Sequence, residues 1–208
     1  MYQPTAFAVI DPAEIEAALR ALRFGCLVTH DAEGLCATHL PFLHDAEQRM
    51  LTGHIARANP HWTRAGEGAA LAIFQGPDAY VSPSFYPSKR EHGRVVPTWN
   101  YEAVHVHGRL CWRHEPEWLI AQVSALSDRQ ERGRPAPWAV SDAPEDYIRK
   151  LAGAIVGLEL RIERVEVTRK LSQNRSEADR KGVIAGLEES AAETDRAVAA
   201  AMTRPGSA

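Results

Sequence analysis

The feature that most constrains the fold is a period-two alternation near the carboxyl end of the chain. Its apolar residues are Val156, Leu158, Leu160 and Ile162, separated by glycine or charged residues. This period is typical of a β-strand with one buried face. Beyond Ile162 the apolar positions become Val165 and Val167, so the parity changes from even to odd. One inserted residue explains the change, and we predict a β-bulge near Glu163–Arg164.

Other segments also predict strands. Residues 26–30 and 35–43 flank a turn at 31–34, residues 50–55 and 102–113 form two further strands, and the apolar run 69–75 indicates a strand buried on both faces. We predict that Gly76-Pro77-Asp78 then turns the chain. With about seven strands and no regular β-α-β repeat, the sequence predicts a mainly β or α+β protein: an antiparallel sheet or small barrel with peripheral helices.

Capping residues mark the helices. Asp11-Pro12, Pro116 and Pro144 each begin a predicted helix, and a final helix is predicted from about Glu177. The chain has 208 residues, which suits one domain with an appendage. We therefore predict a domain over 1–190 and an Ala-rich helical tail over 191–208.

Charge and cysteine content narrow the function classes. The formal net charge is −3, so the chain lacks the basic excess of a dedicated nucleic-acid binder. Three widely spaced cysteines predict reduced thiols in a cytoplasmic protein rather than a disulfide framework. No apolar run approaches the ~18 residues of a membrane span, and the first residues lack the pattern of a signal peptide.

The segment His54–Trp62 is a candidate phosphate site. A strand ends here, Arg57 follows, and Asn59-Pro60 is typical of a helix start, so a guanidinium and free backbone N–H groups converge. The alternative is an ordinary strand-to-helix turn with a surface arginine.

Two further segments are candidate ligand sites. Residues 97–101 place Trp99 and Tyr101 around Asn100, next to an irregular basic stretch at 83–97, and such aromatic and amide groups suit a flat ligand. An aromatic plug of the core is the alternative. The polar run Ser172–Asn174 either approaches a ligand or is a loop with a helix cap at Asn174 or Ser176.

The histidines predict no metal site. His105 and His107 share one face of a predicted strand, and His39 and His54 are candidates for adjacent strands, but no third ligand at a recognisable spacing accompanies them.

Five blocks together resemble the PaiB-type FMN-binding negative transcriptional regulators. They are Met1–Phe7, His54–Trp62, Gly76–Tyr86, Val96–His105 and Lys170–Arg175 with Asp179–Val183 behind it. The resemblance implies an FMN-binding split β-barrel with peripheral helices and a C-terminal helix. It also implies a homodimer with flavin sites at the subunit interface, for which we expect an interface on the order of 2,000 Å² or more.

The resemblance also implies a cofactor site for FMN. The residues expected there are Thr38, His39, Leu40, His54, Arg57, Asn59, Lys89, Trp99, Asn100, Tyr101, Ser172, Gln173 and Asn174. Of these, Arg57 and Asn59 are expected at the phosphate and Thr38–Leu40 along the edge of the flavin. Trp99–Tyr101 are expected to close the pocket, and Ser172–Asn174 to approach it, in one arrangement from the second subunit.

Three functions remain open at this point. They are a regulator that binds flavin without turnover, a flavin-dependent oxidoreductase, and a protein that handles haem with His39, His54 or His105 as ligand. For a regulator, the basic stretch with Lys89, Arg90, His92 and Arg94 is the candidate DNA contact. A lid over the flavin pocket is the other interpretation of that stretch.

Overall fold

The computed structural model describes residues 1–204. Its strands are β1 (Ala8–Val9), β2 (Phe24–Asp31), β3 (Gly34–Asp45), β4 (Met50–Ala56), β5 (Gly68–Val81), β6 (Thr98–Arg113) and β7 (Ile155–Lys170). Its helices are α1 (Pro12–Ala21), α2 (His61–Ala65), α3 (Ser88–His92), α4 (Pro116–Glu131), α5 (Glu145–Ala152), α6 (Glu177–Glu188) and α7 (Glu193–Met202). Short 3-10 turns span Pro83–Phe85 and Val140–Asp142.

The strands form one sheet in the order β1-β7-β4-β3-β2-β5-β6. An additional pairing joins β7 to β6, so six strands form a closed cycle of pairings. The registered pairs are antiparallel. The predicted antiparallel barrel with peripheral helices is therefore confirmed.

The chain divides into two compact units. The larger comprises residues 16–74 and 105–165, and the smaller comprises 1–15, 75–104 and the chain from 166 onward. Strands β5, β6 and β7 each contribute residues to both units. Along β7 the buried apolar side chains are even-numbered as far as Ile162 and include Val167 afterwards. The predicted change of parity thus falls close to the point where β7 passes from one unit to the other.

The larger unit has a core inside the barrel strands. Its fully buried side chains include Leu27, Leu51, Ala72 and Leu158, and Phe42 meets Phe74 edge to face with ring centroids 5.2 Å apart. Helix α4 covers the outer face, where the indole of Trp118 lies so close to Gly157 that an added β-carbon would be 2.2 Å from it.

The smaller unit has its own apolar core. Its buried members are Ala79, Val81, Tyr86, Leu171, Val183, Leu187, Val198, Ala199, Ala201 and Met202. Four of them belong to α7, so the described part of the Ala-rich segment is a packed helix. The division into 1–190 and a tail at 191–208 stays a prediction, and residues 205–208 lie outside the described chain.

Two predicted boundaries are wrong. Gly76-Pro77-Asp78 is no turn, because β5 continues through it; Gly76 instead permits a close approach of Glu102, 3.0 Å from where its β-carbon would be. The final helix is two helices, since α6 ends at Glu188 and Ser190 supplies local hydrogen bonds at the start of α7, accepting from the Ala192 N–H and donating to Asp195.

Three other observations complete the description. Cys26, Cys36 and Cys111 are free thiols. The stretch 83–97 contains α3 and a 3-10 turn instead of being irregular throughout. Within residues 1–204, no helix combines the length and apolarity needed to cross a membrane.

Candidate functional site

In the larger unit, a hydrogen-bond network joins α2 to strands β2 and β3. His61 is fully buried, and its ring shares hydrogen bonds of 2.8 Å with the hydroxyls of Thr29 and Thr38. The Asn59 side chain donates to Thr38 Oγ1 at 3.1 Å and accepts from the His61 N–H at 2.9 Å. The structure therefore brings the predicted residues Thr38 and Asn59 into direct contact.

His61 is the residue that sequence reasoning missed here. Burial, reinforced by the charge of Arg64, lowers the pKa of His61, so its ring is neutral at pH 7 and bridges two hydroxyls. The signal was its place directly after Asn59-Pro60, where a side chain on a short helix faces the strands.

The Arg57 guanidinium is held by backbone carbonyl groups just beyond the carboxyl-terminal end of α5. Its Nε donates to the carbonyl of Gly153 and one Nη donates to the carbonyl of Ile155, both at 2.7 Å. The other Nη lies 3.5 Å from His114 Nδ1, and the guanidinium lies over the ring of Trp62 at 6.0 Å. Because two backbone carbonyls fix the guanidinium, its remaining N–H donors are preorganised for an anion.

Helix α2 contributes little to the attraction of a phosphate at this site. Helix α2 has five residues and begins at His61, with Pro60 before it. So short a helix has little macrodipole to offer a phosphate, and the charge of Arg57 is the main attraction.

The candidates Thr38, His39 and Leu40 are consecutive in β3, so their side chains alternate between its two faces. Leu40 is 2% exposed in the core, whereas His39 points to the opposite face and stacks on Phe24 with ring centroids 6.3 Å apart. Among the described residues, β3 pairs with β4 at Phe42–Asp45 and with β2 along residues 34–41. The second edge of residues 35–41 thus leaves alternate backbone N–H and C=O groups without a strand partner.

His54 faces helix α4 instead of this edge. Its Nδ1 lies 2.7 Å from Oε1 of Gln122, a residue that is 5% exposed. The structure therefore does not bring the His54 ring to Arg57, although the two residues are close in sequence.

In the smaller unit, the two predicted ligand segments meet. Asn100 is fully buried and exchanges hydrogen bonds of 2.9 and 3.2 Å with the hydroxyl of Ser172. Its amide also donates to the sulfur of Met202. Because Asn100 and Ser172 are both buried, they position their neighbours in the chain, namely Trp99, Tyr101, Gln173 and Asn174.

Those neighbours differ in accessibility. Trp99 is 54% exposed and meets the exposed Tyr80 edge to face, with ring centroids 6.0 Å apart, while Tyr101 is half-buried. Gln173 is tied into its own turn, since its side chain accepts from the Leu171 N–H and donates to the Arg169 carbonyl. Asn174 is exposed.

The basic residues of 83–97 lie on and after helix α3. Lys89, Arg90, His92 and Arg94 are all exposed, and Lys89 Nζ donates to the Ser84 hydroxyl at 3.2 Å. Asp179, which belongs to a block of the family resemblance but was not predicted as a site residue, accepts from the backbone N–H and hydroxyl of Ser88 and so holds the start of α3. Burial acts to raise the pKa of Asp179, but these bonds and that from Ser176 lower it overall, so the carboxylate is charged.

Solved structures share this fold. A conserved hypothetical protein, Rv2991 of Mycobacterium tuberculosis, aligns with a TM-score of 0.58 at 14% identity, covering 84% of this chain and 92% of its own. The FAD and heme binding protein of Mycobacterium smegmatis aligns with a TM-score of 0.58 at 17% identity, covering 86% of this chain and 80% of its own. The fold is the split β-barrel of flavin-binding proteins.

Sequence comparison identifies the family. The family model described as "Putative FMN-binding domain" matches residues 1–164. The Bacillus subtilis (strain 168) protein "Protease synthase and sporulation protein PAI 2" is 35% identical over 192 residues, covering 90% of this chain and 89% of its own. The chain belongs to this PaiB-type family of FMN-binding domains, which confirms the resemblance found in the sequence.

The residues present fit FMN, the cofactor of this family. In the larger unit, the fixed guanidinium of Arg57 offers N–H donors to a phosphate, and the unpaired edge of β3 offers backbone groups to the polar edge of a flavin. In the smaller unit, Trp99 and Tyr80 offer exposed aromatic faces. These are the donor types and surfaces that a planar, phosphorylated ligand requires.

Proposed function

We propose that this protein is a homodimeric, FMN-binding negative regulator of transcription of the PaiB type, located in the cytoplasm. The observation that carries the proposal is its 35% identity to the sporulation protein PAI 2 over 90% of the chain. The exposed basic cluster on α3 supports a role at DNA, and the three free thiols support a reducing compartment.

Different residues of the chain contact different parts of FMN in this proposal. Arg57 binds the phosphate, Asn59 and Thr38 order the strand-to-helix turn beside it, and the edge of β3 from Thr38 to Leu40 binds the polar edge of the ring. In the smaller unit, the family resemblance assigns Trp99, Tyr101, Gln173 and Asn174 to the cofactor as well, on segments held by Asn100 and Ser172. When bound, FMN supplies a redox-active ring, and these residues position it and exclude water.

One outer face of the larger unit supports a homodimer. The strand register places Phe24, Cys26 and Val28 of β2, Leu35, Ala37 and His39 of β3, and Leu71 and Ile73 of β5 on the same side. Leu35 is 76% exposed and Phe24 is 61% exposed. A largely apolar sheet face of this kind favours a second copy of the chain as its occupant.

A charge on this face tests the dimer. We expect Ala37→Glu to convert the dimer to a monomer, because an interface of about 2,000 Å² would bury the new carboxylate twice without a partner. Light scattering at micromolar concentration measures the mass. The matched control is Ala125→Glu on the exposed side of α4, which should leave the mass unchanged. A monomeric wild-type protein would contradict the proposal.

Salt dependence tests direct DNA contact. A dimer presents the α3 cluster twice, and Lys89, Arg90, Glu91 and Arg94 then contribute a net charge of about +4. Phosphate-driven binding of this size predicts a slope of log K against log salt of about −3 to −5. In gel-shift titrations, we expect Arg90→Ala with Arg94→Ala to flatten that slope.

The control for this experiment is Arg132→Ala with Arg134→Ala beyond the end of α4, which removes the same charge elsewhere. If the wild-type protein retards no DNA fragment at low salt, α3 is better explained as a lid, and regulation acts through a small molecule or partner protein.

The visible spectrum of the purified protein distinguishes the remaining function classes. Flavin absorption bands are expected, and a Soret band would instead indicate a haem-handling protein. Steady turnover in which a reduced nicotinamide cofactor reduces the flavin and dioxygen or another acceptor reoxidises it would favour the oxidoreductase.

A further inference from the structure

A groove on the larger unit lies apart from the residues assigned to FMN. It is open to solvent, has a volume of about 480 Å³ and is lined by Gln48, Arg49, Met50, Arg161 and Ile162. This volume lies within the range of sites for small organic ligands, about 300–1,000 Å³. The lining residues are two arginines, one glutamine, the half-buried Met50 and Ile162, which is only 6% exposed.

Strand pairing holds the two arginines side by side. Met50 of β4 is the registered partner of Arg161 of β7, and the Arg49 carbonyl accepts from the Ile162 N–H at 2.9 Å. Arg49 is the last residue of the turn before β4 and lies opposite Ile162, one position along β7 from Arg161, and both arginines line the groove. The groove thus has a rigid backbone frame.

The pair carries an uncompensated charge. Among residues 1–204, neither guanidinium makes a hydrogen bond or an ion pair, and both side chains are exposed. Glu159, two positions before Arg161 on the same strand face, is instead bound to Arg113 and to the Trp118 indole. Glu47 and Glu163 flank the arginines in sequence and are exposed. Like charges on neighbouring strands destabilise a sheet unless an anion joins them.

Backbone conformation adds to this cost. Arg49 has a φ of 51°, in the left-handed region that is unfavourable for a residue with a β-carbon. Arg49 ends the turn between β3 and β4, so the hairpin fixes the place at which its side chain leaves the backbone.

We propose that this groove is a second anion site, which binds the phosphate group of a small phosphorylated molecule between Arg49 and Arg161. Guanidinium groups bind phosphate oxygens through paired N–H donors, and Gln48 supplies an additional amide donor. The half-buried Met50 provides an apolar contact for the organic part of the ligand. The site would give a regulator a means of sensing a phosphorylated effector separately from FMN.

Inorganic phosphate is the probe for this site. Phosphorus NMR titration of the full chain with saturating FMN, at ionic strength fixed with chloride, is expected to show saturable phosphate binding. Arg49→Gln and Arg161→Gln should each weaken that binding by about tenfold or more, because each removes a charge-assisted contact. The control Arg132→Gln removes an exposed arginine beyond α4 and should bind phosphate as the wild type does.

The same variants separate this site from the proposed FMN site. Unchanged FMN affinity in Arg49→Gln and Arg161→Gln supports two distinct sites. Weakened FMN affinity with unchanged riboflavin affinity would place the phosphate of FMN itself in the groove and overturn the proposal. Absence of saturable phosphate binding, or equal binding by the variants and wild type, would also overturn it.

Discussion

Replacement of Gly108 by alanine is expected to destabilise the protein by about 3 kcal/mol or more. Gly108 is buried in β6, and an added β-carbon would lie 2.0 Å from the carbonyl oxygen of Arg161 in β7. The obstructing atom belongs to the backbone, so relief requires the two strands to separate where β6 and β7 pair. Urea denaturation of wild type and variant measures the free energy of unfolding.

Gly153→Ala is the matched control. At this position the nearest atom to an added β-carbon is the Lys150 carbonyl oxygen at 3.3 Å, and the backbone is already helical. We expect its stability to stay within about 0.5 kcal/mol of wild type. Equal stability of the Gly108 and Gly153 variants would show that β6 and β7 can move apart at little cost.

Removal of the Arg57 guanidinium is expected to weaken FMN binding by about tenfold to 150-fold. The reason is the loss of a charge-assisted contact worth roughly 1.5–3 kcal/mol. Riboflavin lacks the phosphate, so its affinity should be the same in wild type and Arg57→Ala. Fluorescence titration with both flavins separates the phosphate contact from a general change in the pocket.

Two controls accompany this measurement. Arg64→Ala removes a nearby arginine that is bound to Asp31 and Glu33, and it should leave the FMN affinity unchanged. Denaturation of Arg57→Ala measures the separate cost of releasing the Gly153 and Ile155 carbonyls. An equal loss of FMN and riboflavin affinity would mean that Arg57 shapes the site without touching the phosphate.

Local sequence signals predicted most elements of the fold. Helix α1 begins where Asp11-Pro12 predicted it, and Asp11 accepts from the Ala13 and Glu14 N–H groups as a cap. Ser176 likewise accepts from the Asp179 N–H at the start of α6. Such caps depend on residues within one turn of each other, so the sequence contains the whole interaction.

The prediction of a turn at Gly76-Pro77-Asp78 was wrong because this glycine allows a residue of another strand to approach the backbone closely. Glycine and proline usually mark a turn, but here the absence of a β-carbon at residue 76 admits Glu102 of β6. A pairing partner 26 positions away in the chain cannot be inferred from the three residues alone.

Some properties of the candidate site were likewise predictable from the sequence, and others depended on distant parts of the chain. The residue types were predictable, and the family resemblance assigned the segments around Asn100 and Ser172 to one pocket, but it left open whether both come from the same subunit. Their burial was not predictable, since it depends on α7, whose Met202 packs against Asn100. The structure shows that these two polar residues position Trp99 and the turn after β7, whereas Trp99 itself is exposed.

By itself, the sequence determined the antiparallel barrel, its capped helices, the family and FMN as the cofactor, because periodicity, capping and ordered motifs are properties of neighbouring residues. Tertiary structure alone decided that Arg57 is held by the end of α5 and that His54 faces α4. It also decided that His39 and Leu40 point to opposite faces of β3, and that Arg49 and Arg161 share a groove. Each of these depends on which distant strand or helix packs against a residue, and that choice is made by the packing of the whole chain.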